Sequence, residues 1–174
     1  PAIKPAAEAS RSRLVSVLAT PGTVARDYTR ALVRDFAADC DVTLVGAPRL
    51  AELAERALRG EAVVDADIAR EIAPCFIERE GRRTDQVVLA CTHFPLLIER
   101  LRRLAPWPVT FVDPAPAIAR RVDALLGPRG AARNPQAAAP AIFTSGRMPS
   151  PALQRALRRN GLTVTSAETR AATG

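Results

Sequence analysis

The apolar positions of this chain fall into short dense runs, separated by longer stretches in which they recur every third or fourth residue. Short runs bounded by polar residues read as buried strands, and the longer stretches as helices that lay one face on them. Residues 14–18, 42–45, 87–90 and 109–112 are strands by this pattern, and 141–144 and 162–166 are shorter ones near the end. Helices are expected from residue 23 to about 38, from 48 to about 58, from 95 to about 104, from 113 to about 126 and from 150 to about 160. A further helix over 65–79 would be kinked or interrupted by Pro74. Thr23, Asp113 and Ser150 are placed as N-caps, and Gly161 as a terminator. Leu96, Leu97, Leu101 and Leu104 share one helical face. Residues 127–140 read as a mobile loop, and the last few residues as disordered. Alternating strands and helices define an α/β fold, with a mainly parallel sheet flanked by helices. Internal repeats are not evident.

The junction after the strand at 87–90 carries chemistry. Cys91, Thr92 and His93 follow it directly, and Pro95 then opens a helix. In a doubly wound sheet such a turn lies at the carboxyl edge of the strands, where ligands bind. A thiol with a reference pKa of about 8.5 is only a few per cent thiolate at neutral pH. Helix N-terminal N–H groups or a nearby imidazole lower that value and make the sulfur a base or nucleophile. Cys91 has both in prospect, and His93 is the single histidine of the chain. The plainer alternative is an inert thiol beside a surface histidine. The same turn logic applies after the first strand, where Thr20-Pro21-Gly22-Thr23 leads into a helix. Capping is the plain role for Thr23.

Composition narrows the class. An apolar fraction of 48% supplies a core, and 4% aromatic means that Ala, Leu and Val build it. No apolar stretch approaches the roughly 20 residues that span a bilayer, and nothing at the start resembles a signal peptide, so a cytoplasmic protein with no membrane partner is expected. Cys40, Cys75 and Cys91 are too irregularly spaced for a disulfide framework. No Cys-x-x-Cys or His-x-x-x-His spacing joins them to His93, so no metal is expected, and Cys75 reads as a small core residue. The net charge of +7 invites a nucleic-acid reading. Lys4 is the only lysine, however, and the arginines are scattered among acids, without interleaved aromatics for base stacking. A solvated surface accounts for them, and nucleic acid is not expected as a partner.

Cys91-Thr92-His93-Phe94-Pro95-Leu96-Leu97 resembles the C-T-H-[YF]-P-L-L signature around the second catalytic cysteine of glutamate racemases, which belong to the aspartate/glutamate racemase superfamily. The histidine is similar to the glutamate branch rather than the aspartate branch, which usually carries Glu there. Leu18-Ala19-Thr20-Pro21-Gly22-Thr23-Val24 and Phe143-Thr144-Ser145-Gly146 match in the right order, and Ala2-Ile3-Lys4-Pro5-Ala6-Ala7 resembles the linker that enters the second domain of these enzymes. The resemblance implies an amino-acid racemase that interconverts L- and D-glutamate without a cofactor and supplies D-glutamate for peptidoglycan and cell shape. It implies a catalytic role for Cys91, assisted by His93, and substrate binding by Thr20, Thr23, Cys91, Thr92 and His93. Residues 47–55 loosely resemble C-P-x-[FL]-V-P-L-[VI]-E, which puts Glu55 at the glutamate that supports the catalytic histidine. Ala47 and Glu52 depart from that pattern. A homodimer is a further implication, since family members form dimers of varied geometry.

Racemisation needs two bases on opposite faces of the α-carbon, because a single group would have to travel around it. Family members take one cysteine from each of two facing α/β domains, and the chain starts in the first, crosses to the second and returns. The Asp-Ser-Gly and Cys-Asn-Thr turns of the first domain do not occur here. By the resemblance, residues 1–112 are the second domain, carrying the Cys-Thr-His motif, and 113–174 are the returning segment of an incomplete first domain. The match covers about the C-terminal three fifths of a family member, and little racemase activity is expected of these residues alone. Neither Cys40 nor Cys75 lies in a motif that nominates it as the second base. The alternatives are another Asp/Glu/hydantoin racemase superfamily member or a related decarboxylase, and a non-catalytic remnant or interaction module.

Overall fold

A computed structural model describes residues 2–127 and 138–165. The chain divides into two compact units, residues 1–55 with 63–127 and residues 56–62 with 128–174.

The first unit is built on a four-stranded, wholly parallel sheet of β1 (Leu14–Ala19), β2 (Asp41–Gly46), β5 (Gln86–Leu89) and β6 (Thr110–Val112), in the order β2-β1-β5-β6. Every residue of β1 and β5 is buried, as expected of parallel strands covered on both faces. Alternation along β1 shows the two layers. Val15 and Val17 pack with the helices α1 (Ile3–Ala9) and α3 (Asp27–Phe36), through Ile3, Ala6, Leu32 and Val33. Ser16, between them, sends its hydroxyl the other way, to the Cys75 carbonyl at 2.7 Å. The α/β fold with a mainly parallel sheet is as the sequence pattern indicates.

The differences have local causes. The stretch that resembles a linker, residues 2–7, is largely helical: α1 buries Ile3, Ala6 and Ala7 at helical spacing, and Pro5 falls in the first turn, where an N–H is not needed. The helix expected from residue 23 breaks into α2 (Pro21–Val24) and α3. Thr20, not Thr23, takes the N-cap position of α2, with no side-chain cap bond. The helix α4 (Leu50–Leu58) follows β2 as expected. The long helix over 65–79 stops early, as α5 (Asp65–Ile72) with a 3-10 turn, Ala73–Cys75, around Pro74. A hairpin of β3 (Glu78–Arg79) and β4 (Arg82–Arg83) comes next, and its turn puts both Glu80 (φ 52°) and Gly81 (φ 74°) in the left-handed region. Pro95 lies in a second 3-10 turn, Phe94–Leu97, before α6 (Ile98–Leu104). That tighter winding buries Phe94 and Leu97 but leaves Leu96 43% exposed, so Leu96 does not share the inward face of Leu97 and Leu101. Asp113 sits one residue outside the N-cap of α7 (Ala115–Leu126), yet still accepts the Ala115 N–H at 2.9 Å. No side chain of α7 is buried, and Ile118, Val122 and Leu125 stand exposed along it.

In the second unit, β7 (Ala139–Ile142) pairs in parallel with β8 (Leu162–Thr165) around α8 (Pro151–Arg159). Ser150 caps α8 by accepting the Leu153 N–H at 3.2 Å, and Gly161 ends it at φ +74°. The strand expected at 141–144 begins at Ala139 instead. Most of the loop expected at 127–140, and the final residues, lie outside the described residues. Among the described residues no helix is long and apolar enough to cross a membrane.

Candidate active site

After β1 the chain steps to β2 on one side, then crosses β1 to build β5 on the other. The carboxyl ends of β1 and β5 therefore flank a topological switch point, the usual ligand crevice of an open parallel sheet. The turn after β1 begins at Thr20, and the turn after β5 delivers Cys91, Thr92 and His93. The sheet itself holds both turns: Ala90 N–H donates to the Leu18 carbonyl and Ala47 N–H to the Ala19 carbonyl, each at 2.8 Å.

On the β5 side, Cys91 Sγ lies 3.7 Å from His93 Nδ1, and His93 Nε2 lies 3.1 Å from Glu55 Oε1. Glu55 comes from α4, so the carboxylate reaches the imidazole from a different element. An ionised carboxylate only accepts, which assigns the Nε2 proton to the bond with Glu55. In the neutral ring, Nδ1 then presents its lone pair to the Cys91 thiol. Once His93 has taken that proton, the imidazolium stands between a thiolate and a carboxylate. All three groups are partly exposed, His93 and Glu55 at 39% and 42%, so a reactant can reach them.

On the β1 side the Thr20 and Thr23 hydroxyls lie 3.0 Å apart. The Thr23 carbonyl accepts from the buried Thr29 hydroxyl at 2.7 Å and from the Arg26 N–H at 3.3 Å. A cleft of about 330 Å³ opens here, lined by Thr23, Arg26, Tyr28 and Thr29 together with Cys91 and Thr92. Its remaining walls are mainly apolar, from Val17, Leu32, Val88 and Ile118 among others. Thr20 and His93 are not among the residues that line this cleft.

The structure thus brings together Cys91, His93 and Glu55, and pairs Thr20 with Thr23. Thr29 and Arg26 were missed from sequence. The available signal was an arginine three residues and a threonine six residues after Thr23, spacings common enough in any helix start to pass unremarked. The other thiols are elsewhere. Cys75 is buried, which pushes its pKa up to about 12. Cys40 precedes β2 at the amino edge of the sheet, and burial raises its pKa above the ordinary thiol value, with Asp39 adding to the rise against an opposing Arg13. Among the described residues no three metal-ligating side chains cluster.

A thiol, an imidazole and a carboxylate in line at the carboxyl edge of a parallel sheet define a site for proton transfer or nucleophilic attack. Residues 1–122 match the Asp/Glu/hydantoin racemase family, and the chain belongs to that family. It is 56% identical over 167 residues to the glutamate racemase of Sinorhizobium fredii, across 96% of this chain and 62% of that protein. Its identity to the glutamate racemase of Agrobacterium fabrum is 55% over 166 residues, 95% of this chain and 60% of the relative. The chain therefore spans about 60% of the length of the curated relatives it matches. Among solved structures, Escherichia coli glutamate racemase in complex with L-glutamate and the activator UDP-MurNAc-ala superimposes with a TM-score of 0.79 at 37% identity, over 95% of this chain and 62% of that one. The glutamate racemase isoform RacE1 of Bacillus anthracis shares the fold, with a TM-score of 0.60 at 23% identity over 72% of this chain and 47% of that one.

Proposed function

We propose that this chain is the Cys-Thr-His-bearing portion of a glutamate racemase, interconverting L- and D-glutamate. The observation that carries the reading is the Cys91–His93–Glu55 line at the switch point, with Sγ 3.7 Å from Nδ1 and Nε2 3.1 Å from Oε1. Its identity to curated glutamate racemases supports the same substrate.

In the forward step His93 takes the Cys91 thiol proton, leaving a thiolate beside an imidazolium. The α-carbon–hydrogen bond of L-glutamate breaks, its proton passes to the Cys91 sulfur, and the electron pair stays on carbon, spread into the adjoining carboxylate. A second acid on the opposite face then delivers a proton to that carbon, completing inversion. Thr20, Thr23 and Thr92 hold the amino acid's polar groups with hydroxyl and N–H donors at the starts of helices. Glu55 keeps the imidazole in the tautomer that faces the thiol.

The second base is not Cys75, which is buried, nor Cys40, at the other edge of the sheet. The reading assigns it to sequence outside this chain, with residues 1–112 as the second domain and 113–174 as the returning segment of the first. The exposed apolar residues of α7 are consistent with a helix that packs on further sequence. D-glutamate formed this way would serve peptidoglycan synthesis in the cytoplasm, and a homodimer is the assembly to look for.

The test is a chimera in which this chain replaces the 56% identical segment of the S. fredii enzyme. L-glutamate should be converted to D-glutamate by the chimera and not by its Cys91→Ser variant. A folded chimera without racemisation, or a Cys91→Ser variant that keeps it, would overturn the reading.

A further inference from the structure

We propose that α5 is a strut that sets the separation of Glu55 and His93, with Asp65 and Glu71 at its two ends as positioning residues. The inference rests on the reading of Cys91, His93 and Glu55 as one proton-transfer line, and names what holds that line to length.

Glu55 and His93 reach their 3.1 Å contact from separate elements. Glu55 is carried by α4, and His93 by the turn that leads through Phe94–Leu97 into α6. The polar ends of α5 grip both helices. In its last turn, Glu71 accepts the Arg49 N–H at 2.9 Å, one residue before α4 begins. That bond satisfies an N–H which a helix start leaves without an intrahelical partner, and it puts a carboxylate at the positive end of α4. At the other end, Asp65 is the first residue of α5 and accepts from Arg100 Nε and from Arg103 Nη2 of α6, each at 2.8 Å. The Arg100 guanidinium also donates to the Val63 carbonyl at 2.6 Å, which ties in the chain just ahead of α5. Between the two ends, Ile68 and Ile72 are buried and anchor the helix itself.

The grips lie close to what they position. Glu55 is six residues beyond Arg49, and Arg100 is seven beyond His93. Each helix is therefore held within about two turns of the Glu55–His93 contact. A hydrogen bond of 3.1 Å is lost by the time it lengthens to about 3.6 Å. Slack of about half an ångström between α4 and α6 is thus enough to release the imidazole. The plainer role for these contacts, a cap on α4 and surface ion pairs on α6, entails lost stability but no specific change at Cys91.

The test reads Cys91 in the chain as it stands, by alkylation with iodoacetamide and peptide mass spectrometry, with and without Glu55→Gln. Glu55→Gln alone should slow Cys91 about threefold, the scale of one partly exposed ion pair lost beside the thiolate–imidazolium pair. Glu71→Ala and Asp65→Ala should each slow Cys91 by about the same factor. Neither should slow it further once Glu55→Gln is present. Glu71→Gln, whose amide oxygen still accepts the Arg49 N–H, should keep the parent rate. His93 is the single histidine, so its ring-proton NMR signals are unambiguous, and Glu71→Ala should move them in the same direction as Glu55→Gln does. Urea unfolding checks that each variant is folded in the assay, and the two ends are tested independently, so either alanine variant decides alone. Parent rates in the folded alanine variants, or a slowing that persists in the Glu55→Gln background, overturn the strut. A parent rate in Glu55→Gln itself overturns the Cys91–His93–Glu55 reading, and the strut with it.

Discussion

The two edges of the four-stranded sheet are built from the same strands and treat polar groups in opposite ways. At the amino edge, Asp85 precedes β5, and its carboxylate accepts the Ser10 hydroxyl and the Arg11 N–H, each at 2.7 Å, and the Ser12 N–H at 3.0 Å. Burial would raise the pKa of Asp85, but these donors outweigh it and hold the carboxyl below the ordinary carboxylate range. The acid is spent on tying the end of α1 and the entry to β1 against β5. At the carboxyl edge, the polar side chains after β1 and β5 are held by longer contacts and remain partly exposed, as with the 3.7 Å thiol–imidazole pair. Satisfied groups stabilise a fold, whereas groups with remaining donor or acceptor capacity can act on a ligand. One sheet keeps the two tasks a strand length apart.

The sharpest way to test this separation compares cysteines. At pH 8 a thiol with its pKa pushed up to about 12, as for Cys75, is only about one part in ten thousand thiolate. Iodoacetamide should therefore modify Cys91 while Cys75 stays untouched in the folded chain, and peptide mass spectrometry reads both. The sign for stability follows. The folded-state pKa of Cys75 is raised, so its contribution is complete below the unfolded thiol value of about 8.5. It is lost as pH climbs toward about 12. A midpoint in urea that held constant over that alkaline range would contradict the burial of Cys75.

Asp85→Asn should cost about 2 kcal/mol of stability, because it removes a charge-assisted acceptor of several bonds at a partly buried site. Urea unfolding measures it, and the alkylation rate of Cys91 should not change. The pH dependence has the opposite sign to that of Cys75. The folded-state pKa of Asp85 is depressed, so its contribution is present above the unfolded carboxylate value of about 3.9 and lost as pH falls through the lower folded value. A Cys91 rate that shifted with Asp85→Asn would show that the two edges are coupled after all.

Glu55→Gln should have a smaller effect on racemisation by the chimera, about tenfold, because a glutamine can present N–H to Nε2 and favour the wrong tautomer. The loss should fall on kcat rather than KM, since Glu55 acts through His93. An unchanged kcat would reduce the 3.1 Å contact to a surface pairing.

How much of this was legible beforehand follows the same division. The strands of the first unit were readable because a buried parallel strand needs an apolar run, and 87–90 offers little else. Cys91 and His93 were readable because reactive groups at a strand-to-helix junction have few structural uses. The misses came where backbone geometry overrides pattern. Leu96 fits a helical stripe, but the 3-10 winding after Pro95 turns it out. The hairpin at Glu80-Gly81 depends on two left-handed residues, one of which is not glycine. Residues 1–10 carry one large apolar side chain, Ile3, yet their alanines also bury well against β1 and β5. Arg26 and Thr29 tie down the Thr23 carbonyl through a turn whose bonds only the folded chain reveals.

The most direct measurement of the central claim is exchange of the α-proton of L-glutamate in D₂O, followed by NMR with the chimera and its Cys91→Ser variant. The account predicts that the chimera washes the proton out while forming D-glutamate, and that Cys91→Ser loses exchange from the L-enantiomer by about a thousandfold without unfolding. Exchange that persists in the folded Cys91→Ser protein would mean that the carboxyl-edge thiol is not the base.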